Sequence, residues 1–282
     1  MNLKKILPEN GPPISEVKKY IEKYKNDLIV IKYGGNVLID RNIFDNFITD
    51  INILNQLGLS VVVVHGGGPR IKRELDKSNI QSNFIRGLRV TDKKIIGIVE
   101  KVLIDFNIDI VNSLKKKGSK AVSIHSKNKN VIEVISESPE LGFVGVPNRI
   151  NTDILLNIIK EKKIPIISPL GLRNDNQTHN INGDTAAMAV AKSLRSRRLL
   201  LMTNVNGVLD KENKLIEEIS SSEVLEMIKD ETITEGMIPK IKACLDAVNN
   251  GVKAVGIING TKKHSCLWEI FSDKGSGTLI RK

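Results

Sequence analysis

Leu28-Ile29-Val30-Ile31-Lys32-Tyr33-Gly34-Gly35 has a counterpart in Leu59-Ser60-Val61-Val62-Val63-Val64-His65-Gly66-Gly67-Gly68: an apolar run that ends directly in a glycine cluster. A run such as Val61 to Val64, with no polar alternation, is what a parallel strand covered on both faces requires. The segment between the two runs then reads as a crossover helix. Right-handed crossovers put successive loops on one edge of the sheet, where ligands collect beyond the carboxyl ends of the strands. Glycine lets a ligand approach bare N–H groups, and a following helix N-terminus adds roughly half a positive charge. Both loops are therefore expected to face anionic groups.

The same alternation extends outward in both directions. Residues 14–25 read as an amphipathic helix with Ile14, Val17, Tyr20, Ile21 and Tyr24 on one stripe, a face that must pack on the core or on another subunit. A second helix spans about residues 43–57, ended by Gly58, and Pro69 opens a third directly after the triple glycine. A long helix runs from Thr91 to about Lys117, capped by Thr91 or Asp92 and closed by Gly118. Strand-like runs at 121–125, 131–136 and 142–150 form a non-parallel region able to roof a pocket. Helix 152–163 and strand 164–168 restore the α/β pattern, and polar residues 173–177 mark a lobe boundary. A helix from about Asp184, strand 199–203, helices from Ser222 and Gly236, strand 254–258 and a last strand at 278–280 complete the series.

Composition narrows the classes of function. Of 282 residues, 40% are hydrophobic and 27% charged, which are globular values. No uncharged apolar run approaches the ~20 residues of a membrane span, so no membrane partner is expected. Met1 to Pro8 has a basic start without a signal-peptide core or the Arg/Ser bias of a transit peptide, which implies a cytoplasmic location or, for a plastid-encoded chain, the stroma. Cys244 and Cys266 have no metal-ligand spacing, and no protein metal site is expected. The net charge of +11 raises nucleic-acid binding, but the lysines are spread over many helices and aromatics are only 4%, too few for a stacking platform. No nucleic-acid partner is expected.

Neither glycine loop matches G-x-G-x-x-G or G-x-x-x-x-G-K-[ST], which argues against Rossmann dehydrogenases and P-loop enzymes. Lys32, beside Gly34-Gly35, can reach a phosphate held there. In Asn180-Ile181-Asn182-Gly183-Asp184, an extended start sends Asn180, Asn182 and Asp184 to one face; the plainer alternative makes Asp184 an ordinary helix cap. Glu235-Gly236-Met237-Ile238-Pro239-Lys240 starts another helix with a lysine in its first turns.

Six ordered segments resemble one family across nearly the whole chain. They are Lys32-Tyr33-Gly34-Gly35-Asn36, His65-Gly66-Gly67-Gly68-Pro69, Gly87-Leu88-Arg89-Val90-Thr91, Asn180 to Asp184, Asn204-Val205-Asn206-Gly207-Val208 and Gly236-Met237-Ile238-Pro239-Lys240. The family is the amino acid kinase superfamily, and within it the branch that phosphorylates N-acetyl-L-glutamate in arginine biosynthesis. The resemblance implies an αβα sandwich on an open, mainly parallel eight-stranded sheet, with an N-terminal oligomerisation helix (1–25), an N-lobe for the acyl amino acid (26–173) and a C-lobe for ATP (174–282).

The implied reaction is phosphorylation of the acceptor's side-chain carboxylate by ATP with Mg2+. By matching motifs, Lys32 and Lys240 clamp the moving phosphoryl, and Asp184 orients both lysines. Gly67, Gly68, Arg89 and Asn180 bind the acceptor. Gly34 and Gly35 donate N–H groups to the phosphoryl, while Thr203, Asn204, Val205, Gly207, Val208, Gly236, Met237 and Ile238 border the nucleotide. Asn204 departs from the family, where many relatives have aspartate. Tyr20, His264, Glu269, Gly275 and Gly277 resemble the allosteric site of the arginine-inhibited branch, whose N-terminal helix interlaces dimers into a hexamer. L-Arginine as inhibitor, a homo-oligomer and a PII-type signalling protein are thus the implied partners. The rival acceptors are those of glutamate 5-kinase, aspartokinase, carbamate kinase and nucleoside monophosphate kinases; a non-catalytic sensor that binds arginine or a signalling partner is the rival of another class.

Overall fold

The computed structural model describes residues 2–35, 40–233 and 237–282. Two of the expected segments, Asn36 and Glu235-Gly236, lie outside them. In chain order the helices are α1 (Leu3–Ile6), α2 (Ile14–Lys23), α3 (Arg41–Gln56), α4 (Gly68–Lys77), α5 (Lys93–Lys116), α6 (Thr152–Lys160), α7 (Gly183–Ser193), α8 (Ser221–Lys229), α9 (Ile238–Asn249) and α10 (Ser265–Phe271). The strands are β1 (Leu28–Tyr33), β2 (Ser60–His65), β3 (Phe84–Ile85), β4 (Leu88–Arg89), β5 (Ala121–Ile124), β6 (Ile132–Ser136), β7 (Gly145–Ile150), β8 (Ile164–Ile167), β9 (Leu170–Leu172), β10 (Thr178–Asn180), β11 (Arg198–Thr203), β12 (Glu218–Ser220), β13 (Ala254–Asn259) and β14 (Gly277–Arg281).

Eight strands form the main sheet in the order β12-β14-β13-β11-β1-β2-β8-β5. All neighbours are parallel except β13 and β14. The uninterrupted apolar runs fill both faces, as their composition demands. Ile29, Ile31, Tyr33, Val61 and Val63 join a core with Phe47 and Ile51 of α3, Phe106 and Ile110 of α5 and Ile270 of α10. Val30, Val62 and Val64 face the other way, onto Ala187 and Val190 of α7 and Ile241 of α9. Each such Val or Ile contributes about 1.5–3 kcal/mol by leaving water. With both faces apolar, the pairing of Tyr33 with His65 is what sets the two glycine loops level at the sheet edge. The N–H of Gly66 donates to the carbonyl of Tyr33 at 2.7 Å and ties the loops together.

Of the segments expected as a pocket roof, 131–136 and 142–150 supply β6 and β7 of a second sheet, β10-β9-β6-β7, whereas 121–125 becomes β5, which pairs in parallel with β8 at the edge of the main sheet. Residues 173–177 make the turn between β9 and β10, closed by an Arg173 N–H to Gln177 carbonyl bond of 3.1 Å. The chain crosses from this roof to the far half of the main sheet through α7. Helix ends follow their capping chemistry: Asp40 accepts from the N–H groups of Asn42 and Ile43 and opens α3 ahead of the expected start, and Asp92 rather than Thr91 caps α5. Gly58 and Gly118 both take positive φ, as helix terminators. Among the described residues no helix is long and apolar enough to cross a membrane.

The apolar stripe of α2, left by the sequence to meet either the core or another subunit, meets the core. Val17, Tyr20 and Tyr24 are buried, and the stripe packs against α10. Polar ties reinforce this seat: Tyr20 Oη donates to Asp273 at 2.7 Å, Glu16 accepts from the Asp273 N–H at 2.9 Å, and Trp268 Nε1 donates to the Asn10 carbonyl at 3.2 Å. Deleting residues 1–25 would therefore open the core as well as remove a surface helix.

Candidate active site

Lys32 ends the apolar run of β1, and its side chain turns back across Gly34. A Cβ on Gly34 would lie 2.5 Å from both Lys32 Cε and Nζ, so only glycine leaves room for that path. At the head of α7, Asn182 accepts from the N–H groups of Asp184 and Thr185 and is the helix cap. The plainer reading of Asp184 as the cap is thus corrected. With capping done by Asn182, the Asp184 carboxylate is free for other partners.

Those partners are two lysines. Asp184 Oδ1 lies 2.9 Å from Lys32 Nζ, and Asp184 Oδ2 lies 3.3 Å from Lys240 Nζ at the start of α9. Burial pushes the Asp184 carboxyl up, but Lys32 and Lys240 together outweigh it and hold it below its usual range. A depressed carboxylate contributes stability that is complete above its ordinary value of about 3.9 and is lost as pH falls through the lowered one. The stability difference between wild type and Asp184→Asn, read from urea melts, should therefore be constant from neutral pH down to the ordinary carboxylate range and shrink in stronger acid. A difference that instead fell with rising pH would contradict the pairing.

The cleft above this bridge has a volume of about 230 Å³ and is bounded by Lys32, Gly35, Gly66 to Gly68, Arg89, Asn180 and Asp184. A Cβ on Gly67 would lie 2.4 Å from Leu103 Cδ2, so a side chain there would require that leucine to shift. Arg89, at the end of the β3–β4 hairpin, is largely buried, and burial lowers its guanidinium pKa while Asp76 partly offsets this. Its head donates to Ser82 Oγ and, at 3.5 Å, to the Gly68 carbonyl, and it stacks on Phe84 with 4.7 Å to the ring centroid. Among the described residues no carboxylate lies within ion-pairing distance of Arg89. Lys32, Lys240 and Arg89 thus bring three positive charges to the site against the single carboxylate of Asp184, which pairs with the two lysines, and the cleft is charged for an anion.

The residues expected near the nucleotide lie further along the same edge. Lys32 pairs with Leu201 across β1 and β11, and Thr203 ends β11 two residues on. Thr203 Oγ1 accepts from the Val205 N–H at 2.9 Å; Asn204 and Val205 are exposed. Gly207 has φ +141°, and the Val208 N–H donates to Thr278 Oγ1 at 2.8 Å. Met237 caps α9 and Ile238 is its first residue; Gly236 is outside the described residues.

Tyr20, Glu269, Gly275 and Gly277 gather at a second cavity of about 540 Å³, with Lys23 and Arg198. Burial raises the Glu269 carboxyl, against the lowering by the Ser276 N–H, which donates to Oε2 at 2.8 Å. His264 does not join them. It is buried with Nδ1 2.7 Å from Asp50 Oδ1 of α3, because Ser265 to Phe271 fold into a short helix and carry it to that helix's N-terminus. Sequence reading missed α10 and the polar cluster around His65 under the triple glycine. The one available signal for the latter was Asn107, a polar residue on the apolar stripe of α5.

The chain belongs to the amino acid kinase family, whose sequence model matches residues 27–259. It is 56% identical over 277 residues to an acetylglutamate kinase of Pelagibacter ubique, covering 98% of this chain and 96% of that one. It is 43% identical over 277 residues to an acetylglutamate kinase of Methylobacterium nodulans, covering 93% and 91%. Among solved structures, it matches an N-acetylglutamate synthase from Neisseria gonorrhoeae, complexed with coenzyme A and N-acetyl-glutamate, at TM-score 0.86 and 25% identity; the match covers 95% of this chain but 62% of the synthase. A carbamate kinase from Giardia lamblia bound to AMP-PNP matches at TM-score 0.67 and 17% identity, over 91% of this chain and 98% of the kinase, a likeness of fold.

Proposed function

We propose that the protein transfers the γ-phosphoryl of ATP to the side-chain carboxylate of N-acetyl-L-glutamate, giving an acyl phosphate and ADP in arginine biosynthesis. The observation that carries this reading is the Lys32–Asp184–Lys240 bridge at the floor of a cationic cleft between level glycine loops. An oxygen of the acceptor carboxylate attacks the γ-phosphorus, and the bond to the bridging oxygen breaks with its electrons left on ADP. No base is needed, since the attacking carboxylate carries no proton at neutral pH. The task is to hold two anions together and to offset charge spreading over the transferred group.

Lys32 and Lys240 meet that charge from two sides, each oriented by one oxygen of Asp184. Gly34 and Gly35 supply N–H groups to the phosphoryl, and Gly67 and Gly68 to the acceptor. Arg89, with a planar fork and no carboxylate partner among the described residues, takes the acceptor's other carboxylate, with Asn180 beside it. Magnesium enters with the nucleotide as part of the substrate, along Thr203 to Val208 and the segment from Gly236 to Ile238. The test is ADP release with N-acetyl-L-glutamate against a panel of L-glutamate, L-aspartate and carbamate. Turnover confined to one of the other acceptors would overturn the substrate assignment.

The second cavity supports a regulatory reading. Glu269, buried and facing Gly275, can receive a guanidinium, and the surrounding cations can receive a carboxylate, which together suit free L-arginine as a feedback inhibitor. Glu269→Gln is expected to keep the uninhibited rate while raising the inhibitory arginine concentration by at least about tenfold, the loss of one charge-assisted pair. Unchanged inhibition in this variant would exclude the site. Assembly into dimers or a hexamer, and docking of a PII-type protein, complete this reading and are measured directly by light scattering with and without each partner.

A further inference from the structure

His65 ends β2 immediately before the triple glycine, and its ring is fully buried beneath that loop. Its edge meets Phe106 of α5, with 5.1 Å between centroids at 81°. Both nitrogens are engaged. Nδ1 lies 2.9 Å from the carbonyl oxygen of Gly66; Nε2 lies 3.1 Å from Ser168 Oγ and 3.1 Å from Asn107 Nδ2.

The surroundings determine where the ring proton sits. Asn107 Nδ2 also lies 2.9 Å from the Ile166 carbonyl, which can only accept, and Ser123 Oγ donates to Asn107 Oδ1 at 2.6 Å. The amide of Asn107 is thereby oriented with its N–H groups towards His65, so Nε2 accepts and Nδ1 carries the proton. Burial pushes the ring's pKa down to about 4 against the opposing pull of the Gly66 carbonyl, so the ring is neutral at working pH. Nδ1–H therefore donates to Gly66 O.

That single bond fixes a peptide plane. In a trans peptide the carbonyl of Gly66 and the N–H of Gly67 point in opposite directions, and no cis bond occurs among the described residues. With the carbonyl pulled down onto the buried ring, the N–H of Gly67 stands on the other face of the loop, where Gly66 to Gly68 bound the cleft. The alternative flip would aim a carbonyl oxygen at the incoming anion. A glycine pair offers little resistance to such a flip, since glycine accepts either conformation.

We infer that His65 is a positioning residue, set through the Asn107–Ser123 and Ser168 contacts, which holds the Gly66–Gly67 peptide so that a backbone donor and not an acceptor faces the acceptor substrate. It rests on the proposed carboxylate acceptor only for the identity of the anion.

The experiment compares His65→Leu, His65→Asn and His65→Gln with wild type, using N-acetyl-L-glutamate and ATP. Asparagine places an N–H where Nδ1 stood; glutamine places its amide where Nε2 stood. His65→Leu should lose about a hundredfold in kcat/KM for the acceptor, the scale of a misaligned binding group, with the KM for ATP unchanged. His65→Asn should recover most of that loss, and His65→Gln should resemble His65→Leu. Equal losses in all three, or losses that follow only their melting temperatures, overturn the assignment. An independent measurement needs no variant: 15N spectra of wild type at neutral pH should show the Nδ1–H tautomer, and the Nε2–H tautomer would overturn the inference. If wild type prefers another acceptor of the panel, the series is run with that acceptor. Failure of the substrate assignment and failure of the positioning role are then read separately.

Discussion

Lys240→Ala is expected to lower kcat by about 10²–10³-fold, the usual cost of removing one preorganised donor from developing charge, while the KM for N-acetyl-L-glutamate changes little. Lys240 approaches Asp184 from α9, across the cleft from Lys32 on β1, and is the more accessible of the two lysines. A cation in that place interacts most strongly when the phosphoryl is between its donor and its acceptor, so its loss falls on the transition state. Removing it also leaves Asp184 paired with Lys32 alone. Initial-rate kinetics in both substrates decide the matter, and a raised KM with kcat preserved would assign Lys240 to ground-state binding instead.

Arg89→Lys should show the opposite signature, a KM for the acceptor raised by about 10–100-fold, the worth of a charged hydrogen-bonded contact, with a smaller change in kcat. The charge is retained, so the effect isolates the fork. An ammonium cannot meet two carboxylate oxygens in one plane, nor stack on Phe84 as the guanidinium does. Lysine would also lose reach to Ser82 and the Gly68 carbonyl. The same kinetic pattern in both variants would mean that the roles of Lys240 and Arg89 are wrongly divided.

Much of the architecture could be read from local pattern. The unbroken apolar runs of β1, β2 and β8 require cover on both faces, and Gly58, Gly118 and Pro69 mark helix ends and starts by backbone chemistry alone. Element boundaries were less legible, because a cap such as Asp40 acts through hydrogen bonds that depend on the turn it makes. The short helix α10 was illegible for a related reason. Seven residues are too few to show a period, and most of them are buried by the neighbouring strand β13 and by α2 and α3, which are far away in the chain.

The sequence by itself determined the parallel sheet and the two glycine loops, which follow from periodicity and from what glycine permits, while the set of charged residues beside them came from the resemblance of ordered motifs to a family. Only the tertiary structure decided how those residues divide their work. It gave the helix cap to Asn182 and left Asp184 to two lysines separated by 208 positions in sequence but joined within 3.3 Å. It buried the stripe of α2 inside the chain, moved His264 to Asp50 and away from Glu269, and placed His65, Asn107 and Ser168 under one loop. Contacts of this kind depend on crossovers that bring remote segments together, and no local pattern of residues encodes which partner a polar side chain will meet.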